Sequence, residues 1–179
     1  MTRRLALLAA ALLGSSALGA CAPSTDDVPA CEAGHRLALV AQTVPDAAYV
    51  PCIDSLAEGW STQRFEANAG RTRFVLVPDR AGSRSVRVTF QPACEAGAGV
   101  PTTPRADGVR TSIELRSISP RYAGTLSDAF PGGCVTYAFD FPRGPHIGLM
   151  AELDATVGLF SRRQLRVELR DQLGVELGP

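Results

Sequence analysis

Five cysteines, Cys21, Cys31, Cys52, Cys94 and Cys134, constrain this 179-residue chain more than any other feature, because crosslinks decide which segments must lie side by side. Whether they crosslink depends on the compartment. The first twenty residues bear on that. Arg3 and Arg4 give a positively charged start, and Leu5 through Leu13 is an uninterrupted apolar run. A run that short falls well below the roughly 20 residues of a membrane-spanning helix, but it has the length of a signal-peptide core. Residues 1–20 are therefore expected to be a signal peptide and the rest of the chain to be exported.

After Gly14-Ser15-Ser16-Ala17 comes Leu18-Gly19-Ala20-Cys21. This tetrapeptide resembles the lipobox of bacterial lipoproteins: an aliphatic residue, two residues small enough for a cleavage pocket, then a cysteine. The resemblance implies that the Cys21 thiol carries a diacylglyceryl group and that the chain is cut before it. An ordinary secretory signal, cut after Ala20, would instead leave Cys21 a free thiol. On the lipoprotein reading the protein sits on the outer face of the cytoplasmic membrane, held there by its N-terminal lipid. Residues 21–30 are mostly small or polar, include Pro23 and Pro29, and read as the lipidated cysteine and a flexible tether. No later stretch is long and apolar enough for a second anchor. Cleavage also removes Arg3 and Arg4, leaving 16 Arg against 18 acids, whereas the precursor is neutral.

Four cysteines remain for the exported domain, residues 31–179, and an even set in such a chain reads as two disulfides. Three pairings are possible. Cys31–Cys52 with Cys94–Cys134 is the expected one, because both pairs are sequential and the loops do not interleave. Loops of these sizes contribute about 3–4 kcal/mol each in the chain-entropy model. A zinc site would want closely spaced ligands, but there is no C-x-x-C and the only histidines are His35 and His146. No metal and no cofactor are expected.

Hydrophobic periodicity predicts a single α+β domain. Leu37–Ala41 reads as a short buried strand and residues 53–58 as a helical turn ended by Gly59. Ser61–Ala67 is polar and leads to the turn Asn68-Ala69-Gly70. Arg71–Val77 alternates imperfectly. Ser85–Gln91 alternates cleanly, with Val86, Val88 and Phe90 opposing Arg87, Thr89 and Gln91. Glu95–Gly108, rich in Gly and Pro, reads as a long loop. Val109–Leu115 alternates again. Phe130-Pro131-Gly132-Gly133 is a turn, and Cys134–Phe141 a strand with Val135, Tyr137, Phe139 and Phe141 on one face. Helical spacing then takes over: Met150, Leu153, Val157 and Phe160 suggest a helix near 147–156. Ser161 and Gln164 form a potential capping box before Leu165, Leu169 and Leu173, and Gly174 follows as a stop. The expected architecture is an antiparallel meander of about five or six strands with the C-terminal helix packed on one face. A β-sandwich with peripheral helices is the alternative.

Leu39-Val40-Ala41-Gln42 through Val50-Pro51-Cys52, Gly59-Trp60, and Phe130 through Tyr137 look like a group of exported proteins and lipoproteins of actinobacteria. The resemblance covers most of the exported domain. The group has no assigned activity, so it implies no catalytic residues. An all-Arg basic complement fits a GC-rich genome.

Chemistry is sparse. G-x-S-x-G, H-E-x-x-H and phosphate-binding Gly loops are absent. Hydrolysis could draw only on His35 or His146. Glu152 and Asp154, flanking Leu153, would share a face on a strand but read as solvated acids, and Trp60 reads as a packing residue. Charge is the distributed feature: residues 61–121 hold ten Arg and five acids, while residues 21–60 hold one Arg and six acids. Arg71, Arg73, Arg87, Arg110 and Arg116 are placed by alternation away from the core. They form a candidate basic face for an anionic envelope polymer, a lipid headgroup or an acidic protein. The balanced charge of the whole chain argues against nucleic acid. The expected function is a non-catalytic, lipid-anchored binding or envelope-accessory module, with an envelope hydrolase as the alternative.

Overall fold

Seven antiparallel strands form the main layer. They are β2 (Trp60–Asn68), β3 (Arg71–Pro78), β4 (Val86–Gln91), β5 (Val100–Pro101), β6 (Arg110–Ser117), β7 (Arg121–Phe130) and β8 (Gly133–Pro142). The computed structural model describes residues 29–81, 86–95, 99–142 and 146–178. Cys21, the expected signal peptide and most of the expected tether lie outside these residues.

The strand order is β2-β3-β4-β8-β7-β6-β5, so the sheet is not a simple meander. After β4 the chain crosses three strand positions to the far edge. It then returns through β5, β6 and β7 until β8 lies beside β4. The Gly- and Pro-rich stretch Glu95–Gly108, expected to be one loop, lies on that path but contains β5, whose Val100 and Pro101 pair with Ile113 and Ser112. Cys94, just beyond β4, is bonded to Cys134 on β8. The second disulfide is Cys31–Cys52. Both match the sequential pairing, and both suit an extracytoplasmic, oxidising compartment. No helix among the described residues is long and apolar enough to cross a membrane.

One face of the sheet carries the core. Phe74, Leu76, Val88, Phe90, Val135, Tyr137, Phe139 and Phe141 are all buried there. Each large side chain taken from water contributes about 1.5–3 kcal/mol. The covering layer consists of α1 (His35–Thr43), α2 (His146–Thr156), α3 (Arg162–Leu173) and a small sheet in which β1 (Tyr49–Ile53) pairs antiparallel with β9 (Val157–Ser161). The fold is thus α+β. The C-terminal helix reaches the core side by packing on α1 and β9.

Three local expectations change. Leu37–Ala41 is helical: Leu37, Val40, Ala41 and Val44 are buried at i, i+3, i+4 and i+7, while Leu39 faces outward. Residues 53–58 are not helical, because Ile53 spends its backbone groups on pairing. Its N–H donates to the Pro29 carbonyl at 2.7 Å, and its carbonyl accepts from Cys31 at 2.9 Å. The capping box is also absent. Ser161 is the last residue of β9, opposite Tyr49, and its hydroxyl caps nothing. Gln164 turns forward instead and donates to Glu168 at 2.7 Å.

Arg162 does other work at that junction. Its guanidinium donates to the carbonyls of Ala41, Val44 and Ala47, closing the C-terminal end of α1, where carbonyls lack helical partners. Burial, helped by the charge of Arg166, lowers the pKa of this cation. At the β7–β8 turn, Gly132 has φ 70°, and a Cβ there would collide with the Asp46 carbonyl. The turn docks on the covering layer, with Ala48 N–H donating to the Pro131 carbonyl at 2.9 Å.

Candidate functional site

Among the described residues, no layer covers the middle of the second face of the sheet, which forms a groove of about 780 Å³. That lies within the range of small-ligand sites, about 300–1,000 Å³. Strand register orders its floor into rows. Arg73, Thr89, Thr136, Ser127 and Ser112 stand opposite one another on β3, β4, β8, β7 and β6. On one side of this row run Arg87, Ala138, Thr125 and Glu114; on the other run Gln91, Cys134, Ala129 and Arg110. Arg71 lies two residues from Arg73 on the same face of β3. The start of the crossover, Cys94 and Glu95, and its far part, Gly99 to Pro104, form the wall. The Cys94–Cys134 disulfide fastens that wall to the floor.

Four of the five arginines expected on a basic face therefore meet in one groove: Arg71, Arg73, Arg87 and Arg110. Arg116 does not join them. The pairing slips between Leu115 and Ser117, so Arg116 stands in a bulge where strict alternation fails. Elsewhere four arginines pair with acids: Arg80 with Glu152, Arg105 with Asp128 and Asp154, Arg121 with Asp140, Arg170 with Glu176. Among the described residues, none of the four groove arginines has an ion pair or a side-chain hydrogen bond. The Nε of half-buried Arg73 is enclosed with no hydrogen-bond partner. Glu95 and Glu114 are the acids lining the groove, and no aromatic side chain lines it.

A residue that periodicity gave no reason to single out holds the far wall. Arg105, in the segment between β5 and β6, reaches through to the core side. It donates to Asp128 at 3.0 Å, to the Tyr137 hydroxyl at 2.7 Å and to the carbonyls of Asp154 and Val157. Its Nε lies 2.6 Å from the Asp154 carboxylate. Asp128 also accepts from Thr111 at 2.7 Å. Burial alone would lower the Arg105 pKa, but Tyr137, Asp128 and Asp154 outweigh it and raise the value. Burial raises that of the Tyr137 phenol far above its usual range. The only sequence signal was an isolated Arg in a Gly/Pro-rich stretch.

The remaining candidates lie apart from the groove. Glu152 and Asp154 sit on α2 and are engaged in ion pairs. Trp60 is buried, with its indole N–H donating to Glu152 at 2.7 Å. His35 is exposed at the start of α1, and the His146 ring lies 4.6 Å from that of Tyr122. Neither histidine lines the groove. Among the described residues no cluster of three or more His, Cys, Asp or Glu has a metal-binding arrangement. No protein-family model, no curated protein and no solved structure matches the chain.

Proposed function

We propose that this protein is a lipid-anchored, extracytoplasmic binding module whose sheet groove holds an anionic ligand of the cell envelope. The observation that carries this reading is the gathering of four arginines, none with an acidic partner among the described residues, along one groove. Arg71, Arg87 and Arg110 are exposed; half-buried Arg73, whose Nε is enclosed without a hydrogen-bond partner, is the group that an anionic ligand would complete. The Leu18-Gly19-Ala20-Cys21 lipobox supports the anchor, and the two disulfides support export. The resemblance to exported actinobacterial lipoproteins supports the same placement. The hydrolase alternative draws nothing from the groove, which neither histidine lines.

The test uses the full chain in neutral detergent, titrated with polyphosphate and with dextran at low and high salt. Binding to polyphosphate that weakens tenfold or more with salt, with no binding to dextran, is expected. An Arg71→Gln/Arg73→Gln/Arg87→Gln chain should lose it. Equal binding of the two polymers, or retention by the triple variant, overturns the groove reading. For the anchor, Cys21→Ala should release the signal-cleaved chain from membranes; a cleaved variant that stays membrane-bound overturns it.

A further inference from the structure

Resting on that anionic-ligand reading, we infer that the groove selects a polyhydroxylated phosphate ester, a sugar or polyol phosphate, rather than an anion in general. Its two ends are chemically different. At the β3–β4 end, Arg71 and Arg73 are two residues apart on one strand, about 6.8 Å. Arg87 is the diagonal neighbour of Arg73 across the pair, at about 7–8 Å. The three thus form a basic line along this end, Arg71 and Arg87 on opposite sides of Arg73 with their backbones about 14 Å apart, and the enclosed Nε of Arg73 supplies an unused donor at its centre. Forked guanidinium donors fit phosphate oxygens with two bonds each.

Beyond the arginines the floor changes character. Thr89, Thr136, Ser127 and Ser112 form a continuous row of hydroxyls across four strands, with Thr125 and Gln91 beside it. Each hydroxyl both donates and accepts, as the hydroxyls of a polyol do. Glu114 stands at the far end as an acceptor, and Arg110 stands on the other side of Ser112, about 14 Å from it along β6. From β3 to β6 there are four strand spacings, about 19 Å, room for a short oligomer and far more than a lone phosphate needs. The absence of aromatic side chains from the lining removes the usual platforms for bases, so a nucleic acid strand lacks its recognition. A polycarboxylate peptide could meet the arginines but would leave the hydroxyl row without matched partners.

The experiment compares glucose 1-phosphate, inorganic phosphate, glucose and poly-glutamate on the full chain in neutral detergent, by calorimetry. Glucose 1-phosphate should bind at least tenfold tighter than phosphate, and glucose should not bind measurably. Thr136→Val, which keeps side-chain shape, combined with Ser127→Ala should bring glucose 1-phosphate down to the affinity of phosphate and leave phosphate unchanged. Arg73→Gln should weaken both esters and phosphate about tenfold. An unchanged thermal transition shows that each variant is folded. Phosphatidylglycerol and phosphatidylserine vesicles then identify the source. Displacement of glucose 1-phosphate by the former alone assigns the chemistry to a lipid headgroup; displacement by neither assigns it to a soluble or polymeric ester. Equal displacement by both overturns selection for a polyol. So does equal affinity for phosphate and its sugar ester, or tighter binding of poly-glutamate, although anion binding would then survive. No binding of any anion, polyphosphate included, removes both readings.

Discussion

Replacing Arg105 with Met tests whether the wall of the groove is held as described. The substitution keeps an unbranched stem but deletes the cation. It strands the Asp128 carboxylate, which is 0% exposed, with only the neutral hydroxyls of Thr111 and Tyr137 as partners, and it removes the donor to the buried Tyr137 hydroxyl. Removing one member of a buried ion pair destabilises by about 3–5 kcal/mol, because the other charge stays buried and uncompensated. For a domain of this size that is about 6–20 °C in the midpoint of thermal unfolding. Urea unfolding with both disulfides intact measures it. The cycle is completed by Asp128→Asn alone and by Arg105→Met/Asp128→Asn. The double variant should be more stable than the sum of the single losses predicts, by about 2 kcal/mol or more. A loss under about 1 kcal/mol in Arg105→Met, or simple additivity, would refute the claim that this ion pair fastens the β5–β6 connection to the core side. Weaker ligand binding should accompany the loss at temperatures where the variant is still folded.

Opening either disulfide removes a loop constraint, of 21 residues for Cys31–Cys52 and 40 for Cys94–Cys134, and should cost about 3–4 kcal/mol in urea unfolding. Only the paired Cys94→Ser/Cys134→Ser change should also alter groove binding, since only that bond ties wall to floor. The hydrogen bond from Arg80, then that from Trp60, holds Glu152 below the ordinary carboxylate value of 4.5. Its contribution is therefore complete above that value and disappears as pH falls through the lowered one. Glu152→Gln should flatten the acid side of a stability–pH curve, and an unchanged slope between pH 5 and 3 would contradict this. Gly132→Ala forces a side chain into positive φ and into the Asp46 carbonyl, and should cost more than about 2 kcal/mol in the same unfolding assay.

What could be read from the sequence was local and repetitive. Val86, Val88 and Phe90 opposite Arg87, Thr89 and Gln91 defined both faces of β4, and the same arithmetic put Arg73, Arg87 and Arg110 on the groove side. Leu165 and Leu169, with Gly174 in the left-handed conformation, marked α3 and its end. The non-interleaved cysteine pairing also stood. What failed depended on partners distant in the chain. Leu37–Ala41 is too short for periodicity to separate strand from helix. Val157 and Phe160 keep helical spacing with Met150 and Leu153, yet residues 157–161 become a strand because β1, a hundred residues earlier, offers an edge. Strand order turned on where one crossover lands, which no composition encodes. Arg116 was lost to a one-residue slip in pairing. Arg105 was invisible because its partners lie on β7, β8, α2 and β9.

The pairing of β1 with β9 would also impose an order of events on the chain if, as proposed, it is exported from its N-terminus. Tyr49 to Ile53 emerges early but has no ladder until Val157 to Ser161 arrives, and the end of α1 stays open until Arg162 follows. The β2–β4 hairpins close on neighbours in sequence, whereas the covering layer must wait for nearly the whole chain, the slow kind of contact. In that interval the apolar sheet face is bare beside the membrane to which the N-terminus is proposed to be fixed. The segment nearest the proposed anchor would thus be the first out and among the last to fold, and a C-terminal truncation before β9 would leave both ends of the domain unfinished.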